Sequence, residues 1–343
     1  MGVIATQPGL PHAAEDALTA LAGMLRADLD ATNRAIVAHM ASPVALIPQL
    51  AAHLVAAGGK RLRPLLTLAC ARLCGYPGPD GGARHVGLAA CVEFIHTATL
   101  LHDDVVDESQ LRRGLASANA VFGNQASVLV GDFLFARAFQ LMVADGSLRV
   151  LAILSEAAAT IAEGEVLQLA TQNDLATTED RYLEVIRGKT AALFAAAAQV
   201  GAVLAARPDA EEAALARFGL ELGIAFQLVD DALDYAADQQ ALGKTVGDDF
   251  REGKITLPVL RAYAAGDAEE RAFWERTIAA GEQTDADLAR ALTLIARHGA
   301  IAATLERAAS HAAAAAVALA PFADSPLRRA LVAVCDYTVH RGR

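Results

Sequence analysis

An all-α fold, a single-domain helical bundle, is what this sequence predicts, and three observations predict it. Apolar residues recur with a period near 3.6 over most of the chain, while strand-like alternation is scarce. Alanine and leucine, both strong helix formers, are abundant. Two clusters, Asp103-Asp104-Val105-Val106-Asp107 and Asp230-Asp231-Ala232-Leu233-Asp234, each read D-D-x-x-D and each follows an apolar helical run. The length of 343 residues by itself suggests about two domains. If both clusters face one ligand, however, the two halves belong together. One domain is therefore expected over residues 1–343, with a short flexible N-terminus over about residues 1–13.

The periodic runs place helices over residues 14–39, 43–57, 63–73, 85–107, 126–143, 148–173, 181–206 and 210–237, with several more to 339. Turn chemistry separates them. Gly75-Tyr76-Pro77-Gly78-Pro79-Asp80-Gly81-Gly82 reads as a loop. Thr177-Thr178-Glu179-Asp180 resembles a capping box, and Arg207-Pro208-Asp209 and Ser325-Pro326 mark later helix starts. Within the run over 181–206, Gly188 costs about 1 kcal/mol against alanine. That cost points either to a kink that exposes carbonyls or to close packing. The uncharged stretch from Thr190 to Ala206 is short for a membrane span and fits a helix buried in a bundle.

Hydrophobic residues make up 54% of the chain, enough for a large core. Lys and Arg number 29 against 40 Asp and Glu, a net charge of −11. This excess disfavours nucleic acid or an anionic membrane surface as the main partner. Anionic substrates then need a local basic patch or metal ions. Cys70, Cys74, Cys91 and Cys335 offer no second close pair for a zinc site, and buried free thiols in a reducing cytosol are expected. The N-terminus shows no basic region followed by an apolar one, so a cytoplasmic location is expected.

Residues four apart share a helix face, so Asp103 stands over Asp107 and Asp230 over Asp234. Like charges at that spacing repel and destabilise a bare helix. Such a penalty, written twice beside apolar flanks, calls for cations, and hard divalent ions shared with substrate phosphates are the natural candidates. Basic residues complement them. Gly58-Gly59-Lys60-Arg61-Leu62-Arg63-Pro64 places three cations in four positions, Arg112-Arg113 follows the first cluster, and Gly243-Lys244-Thr245 follows the second. Lys189 lies in Arg187-Gly188-Lys189-Thr190. Carboxylates with metals on one side and Lys/Arg on the other suit a diphosphate, and the apolar interior suits a hydrocarbon tail.

These motifs resemble those of the trans-type polyprenyl diphosphate synthases. The stretch from Glu93 to Ser109, Glu93-Phe94-Ile95-His96-Thr97-Ala98-Thr99-Leu100-Leu101-His102 and then the first cluster, is similar to the first aspartate-rich motif of the long-chain members. Gly223-Ile224-Ala225-Phe226-Gln227-Leu228-Val229 and the second cluster are similar to the second. The resemblance runs from about Gly58 to Pro258 and more weakly to the end, with no departure in either aspartate motif. It implies a bundle of the isoprenoid synthase type with a central active-site cavity, and a homodimer. It also implies a role for each candidate. Asp103, Asp107 and Asp230 would ligate Mg²⁺, three ions with substrate bound, while Asp104, Asp231 and Asp234 would be ligands or support them. Arg112, Lys189 and Lys244 would draw charge onto a departing diphosphate. The Lys189 and Thr190 carbonyls and the Gln227 side chain would steady the allylic cation. Isopentenyl diphosphate would sit among Lys60, Arg63, His96 and Arg113, with Arg61 and Lys254 also on the substrate side. The released diphosphate would take the proton.

Product length depends on what blocks the hydrocarbon tunnel. The residues four and five positions before Asp103 are Thr99 and Ala98, small where short-chain relatives tend to carry aromatics. The resemblance therefore implies a long product of the octaprenyl-to-decaprenyl class for a respiratory quinone side chain, and Ala98→Phe is expected to shorten it. The mildly apolar composition permits peripheral membrane contact for product release. Rival readings explain less. A metal phosphohydrolase using His102 and Asp103 needs further histidine ligands and leaves the second cluster idle. A binding-only subunit has no use for intact aspartates, and a terpene cyclase has none for the Lys60–Arg63 pocket.

Overall fold

The computed structural model describes residues 12–56, 59–77, 82–112, 115–236 and 246–341. Helices α1 (His12–Met24) and α2 (Arg26–His39) split the first expected run at Leu25, which leaves helical geometry yet stays buried with Leu21, so the apolar period carries across the break. The next helices are α3 (Leu46–Ala56), α4 (Leu62–Leu73) and α5 (Arg84–Val106). Two short strands, β1 (Leu111–Arg112) and β2 (Leu115–Ala116), pair antiparallel with Leu111 opposite Ala116. Then come α6 (Ala118–Phe122), α7 (Asn124–Asp145) and α8 (Leu148–Thr171).

The expected run over 181–206 is three pieces in the fold. These are α9 (Glu179–Ile186), a π-helical turn (Arg187–Ala191) and α10 (Ala192–Leu204). Thr178 caps α9 by accepting the N–H of Arg181. The π turn falls on the Gly188 segment, and the close-packing reading of that glycine holds. The backbone widens there, and the Gly188 face packs on Gly164 of α8 so closely that a Cβ on Gly164 would stand 2.4 Å from the Lys189 nitrogen. Helix α11 (Asp209–Asp234) follows. After it come α12 (Asp248–Arg251), α13 (Leu257–Ala265), α14 (Ala268–Trp274) with a π turn over Glu275–Ala279, α15 (Asp287–Arg297), α16 (Ala300–Ala318) and α17 (Pro326–His340). Pro326 takes the first position of α17, capped by the Ser325 hydroxyl.

Helix α10 lies at the centre, packed on α4, α5, α8 and α11. Its alanines let neighbours approach, and Phe194 fills the space left with no exposure. One apolar cluster joins α5, α7, α8 and α10 through residues such as Phe94, Leu134 and Leu154. A second joins α1, α4, α10, α11, α16 and α17, and a smaller one forms around Trp274. The four cysteines are buried and unpaired. By length and composition α7 could cross a membrane, but nearly half of its apolar window is buried in the fold, where it runs along α5. The residues expected as a flexible N-terminus lie mostly outside the described ones, and α1 already begins at His12.

Candidate active site

The C-terminal ends of α5 and α11 open on one cavity of about 740 Å³. Asp103 lines it from α5 and Asp107 from the position just after that helix, and Asp230, Asp231 and Asp234 line it from α11, so the structure brings the two clusters together. The first cluster divides its labour by helical phase. Asp104 is outside the lining, is 1% exposed, and receives a two-pronged bond from the Arg112 guanidinium at 2.5–3.0 Å. Asp104 is therefore committed to the Nε and one terminal nitrogen of Arg112, and Arg112 reaches the cavity edge as a fixed cation. Asp231 is likewise engaged, accepting from Tyr182 at 2.5 Å and from Gln227 at 2.7 Å. Asp234 accepts the N–H groups of Asp248 and Asp249.

Every predicted cation within the described residues reaches this cavity. Lys189 on the π turn bonds Glu165 of α8 at 2.6 Å and stands 3.7 Å from Asp103. Lys254 bonds Asp107 at 2.9 Å and Glu252 at 2.5 Å. On the α4 side, Arg63 and His96 lie 3.0 Å apart, and the Arg63 guanidinium stacks on Phe194 at 4.5 Å. Lys60 donates to the Tyr337 hydroxyl of α17. Arg61, held in left-handed geometry (φ 47°) before α4, pairs with Glu93. Thr190 donates to Gln227 Oε1 at 2.8 Å. Arg113 and Lys244 lie outside the described residues.

Crowded carboxylates in low dielectric hold protons unusually tightly. Burial raises Asp103, Lys189 lowers it, and Asp107 raises it again, leaving it above the ordinary range. Burial lifts Glu165 to about 7 against the pull of Lys189. Asp231 is lifted to about 7 by burial and by Asp249, with the Tyr182 and Gln227 bonds opposing. Asp234 rises to about 6, and Asp249, by burial and then by Asp234, to about 8. For Lys254, burial disfavours the ammonium, but Asp249, Asp107 and Glu252 outweigh it and push its pKa up. The cavity is thus an anionic bowl short of positive charge. Among the described residues no three His, Cys, Asp or Glu side chains close a metal shell by themselves. The oxygen donors of Asp103, Asp107, Asp230 and Asp234 fit hard divalent ions that complete their shells with substrate oxygens and water.

A second, more apolar cavity of about 290 Å³ adjoins the first between α5 and α8, with Phe135, Ile161, Ala162 and Leu169 among its walls. Thr99, Asp103, Asp107, Glu165 and Lys254 line both. Thr99 therefore stands where the sequence places it, at the passage from the charged bowl to an apolar slot. Ala98 does not. It is fully buried in the cluster with Phe94, Ile95 and Leu101 and lines neither cavity, because one residue along a helix turns the side chain about 100°.

Several site residues escape sequence reasoning. Glu165 could have been suspected as a charge interrupting the apolar face of α8. Tyr182, Tyr337 and Arg341 carry no local signal. Arg341 reaches back from the end of α17 to bond Asp230 at 2.9 Å and to lie 3.7 Å over the Phe226 ring.

Fold and site together define a class: a helical bundle in which paired carboxylates and cations line one cavity suited to a diphosphate, with a more apolar slot beside it. Comparison with known proteins narrows it. The family model for polyprenyl synthetase matches residues 44–295. The chain is 49% identical over 316 residues to octaprenyl diphosphate synthase of Escherichia coli (strain K12), covering 92% of this chain and 96% of that one. Among solved structures, a decaprenyl diphosphate synthase from Rhodobacter capsulatus superposes with a TM-score of 0.90 at 55% identity, covering 95% of this chain and 99% of that one. A polyprenyl synthase from Caulobacter crescentus CB15, complexed with calcium and isoprenyl diphosphate, does so with a TM-score of 0.90 at 54% identity, covering 94% and 98%. The chain belongs to the polyprenyl synthetase family. It is a trans-prenyltransferase of the isoprenoid synthase fold.

Proposed function

We propose that this enzyme condenses isopentenyl diphosphate repeatedly onto an allylic diphosphate such as farnesyl diphosphate. The product would be a long all-trans polyprenyl diphosphate of the octaprenyl-to-decaprenyl class, destined for a quinone side chain. One observation carries the reading: aspartates of both clusters, with Lys60, Arg63, Arg112, Lys189 and Lys254, line a single cavity that continues, past Thr99, into an apolar slot. The long-chain relatives support the product class.

Asp103, Asp107, Asp230 and Asp234 would hold Mg²⁺, three ions with substrate bound, which when present neutralises diphosphate charge as a Lewis acid. Lys189, Lys254 and Arg112 hold the allylic diphosphate and favour its departure by stabilising charge where it develops. Lys60, Arg63 and His96 orient isopentenyl diphosphate on the opposite wall. The buried surround excludes water from the cation. We place the enzyme in the cytoplasm, with peripheral membrane contact for release of product. A homodimer is supported by the apolar side chains that α7 and α8 leave exposed, Leu129 at 67%, Val143 at 67% and Val166 at 66%.

Mass spectrometry of products from farnesyl diphosphate, isopentenyl diphosphate and Mg²⁺, beside a chelator control, tests the reading. A long, metal-dependent polyprenyl diphosphate is the expected result, and no elongation would overturn it.

A further inference from the structure

Gln227 can face its neighbours in two ways, and its neighbours permit one. With Mg²⁺ and diphosphate in the cavity favouring the ionised carboxylates, Asp231 only accepts hydrogen bonds, so the amide must offer it the NH₂, at 2.7 Å from Oδ1. Its carbonyl oxygen is then turned to Thr190, whose hydroxyl donates to it at 2.8 Å. Asp231 is anchored by the Tyr182 hydroxyl, 2.5 Å from the other carboxylate oxygen. Tyr182 is 3% exposed and absent from the lining of both cavities. It belongs to a buried apolar cluster with Leu183, Ile186, Ile224 and Leu228, so α9 presents the hydroxyl to α11 from an apolar wall. Burial and the adjacent carboxylate push the Tyr182 pKa upward, which keeps it a donor.

We propose that Tyr182 and Asp231 form an orienting relay that fixes the polarity of the Gln227 amide toward the reacting carbon. The inference deepens the prenyl-transfer reading and rests on it. Tyr182 and Gln227 donate to Asp231, and Thr190 donates to Gln227. An anion at the head of such a chain polarises each member and enriches Gln227 Oε1 and Thr190 Oγ1 in electron density. Both residues line the cavity. When the allylic C–O bond breaks, its electron pair leaves on the diphosphate oxygen and positive charge spreads over the allylic carbons. Oxygens already oriented stabilise that charge at no cost of reorganisation. A reversed amide would present N–H donors to the cation and set its own oxygen against Asp231. Asp231 thus serves the second aspartate cluster as a positioning residue, with Tyr182 behind it, while Asp230 and Asp234 remain the metal-facing pair.

Tyr182→Phe keeps the ring and removes the donor. Its single-turnover rate with farnesyl diphosphate and isopentenyl diphosphate is expected to fall about tenfold, the worth of one hydrogen bond to a charged group. Hydrolysis of farnesyl diphosphate without isopentenyl diphosphate, which reports ionisation alone, falls by the same factor. The KM values, and the calorimetric affinity for Mg²⁺ with inorganic diphosphate, stay within about twofold. Asp231→Asn removes the anion at the head of the chain and turns an NH₂ either toward Tyr182, whose hydroxyl must then accept, or toward Gln227, whose amide must then reverse. It is expected to lose roughly a hundredfold in rate with the same calorimetric affinity, and it carries the test if Tyr182→Phe fails to fold. An unchanged single-turnover rate in folded Tyr182→Phe overturns the relay. So does a parallel loss of Mg²⁺-diphosphate affinity in Asp231→Asn, which would make Asp231 a metal ligand. Failure of the wild-type enzyme to elongate would instead sink the underlying prenyl-transfer reading.

Discussion

Asp104 shows how one side chain within a cluster of three aspartates differs from its neighbours. Its carboxylate is buried and entirely committed to Arg112. Replacing Arg112 with Met leaves that charge buried without its partner, so a loss of about 3 kcal/mol is expected in denaturant melts, separate from any loss of turnover. The other carboxylates yield a pH prediction. Glu165, Asp231, Asp234 and Asp249 are held at about 7, 7, 6 and 8, above the ordinary value near ~4 that they have in the unfolded chain. Between about pH 4 and pH 8 the metal-free fold keeps protons that the unfolded chain has released. Their stabilising contribution is complete below the unfolded value and is lost as pH rises through the folded ones. In chelator, the melting temperature is therefore expected to fall from pH 6 to pH 8. Mg²⁺ with inorganic diphosphate, which favours the ionised carboxylates, flattens that fall. A chelated melting temperature that rises across this range would contradict the assignment.

At the scale of an element, α5 and the π turn make separable predictions. Thr99 and Ala98 are small neighbours one step of helical phase apart, yet one faces the passage between cavities and the other the core. Thr99→Phe is expected to shorten the polyprenyl product in mass spectra while the protein stays folded. Ala98→Phe instead overpacks a fully buried site and should cost about 1–3 kcal/mol, visible in thermal melts. Comparable shortening by Ala98→Phe without destabilisation would show that the slot widens when occupied. The π turn depends on two glycines in contact. Gly164→Ala drives a methyl group to 2.4 Å from the Lys189 nitrogen, so the turn has to move and Lys189 and Thr190 with it. A loss of turnover of about tenfold or more is expected, larger than its effect on KM. The Gly188 segment was legible as an interruption. The kind of interruption was not, because backbone widening and close packing are both served by glycine, and only the approach of α8 shows that they occur together.

For the molecule as a whole, the exposed apolar side chains of α7 and α8 predict a particle of twice the chain mass by light scattering. Leu129→Asp with Val143→Asp is expected to give a monomer, and a monomeric wild type would remove the dimer from the proposal. The helical runs, their approximate ends and both aspartate clusters were open to reading in the chain, because a 3.6 period and cap residues are local properties. So were most cations near the clusters. Tyr182, Tyr337 and Arg341 were not, since each acts through a partner distant in sequence. What the sequence by itself determined is an all-helical enzyme with two carboxylate motifs and the residue types for diphosphate chemistry. Tertiary structure alone decided which aspartates face the cavity and which are spent on Arg112 or Tyr182, and which of two small residues lines the slot. The reason is physical: a side chain's direction and its hydrogen-bond partners depend on how α5, α8, α9 and α11 pack, and packing joins positions that no local pattern connects.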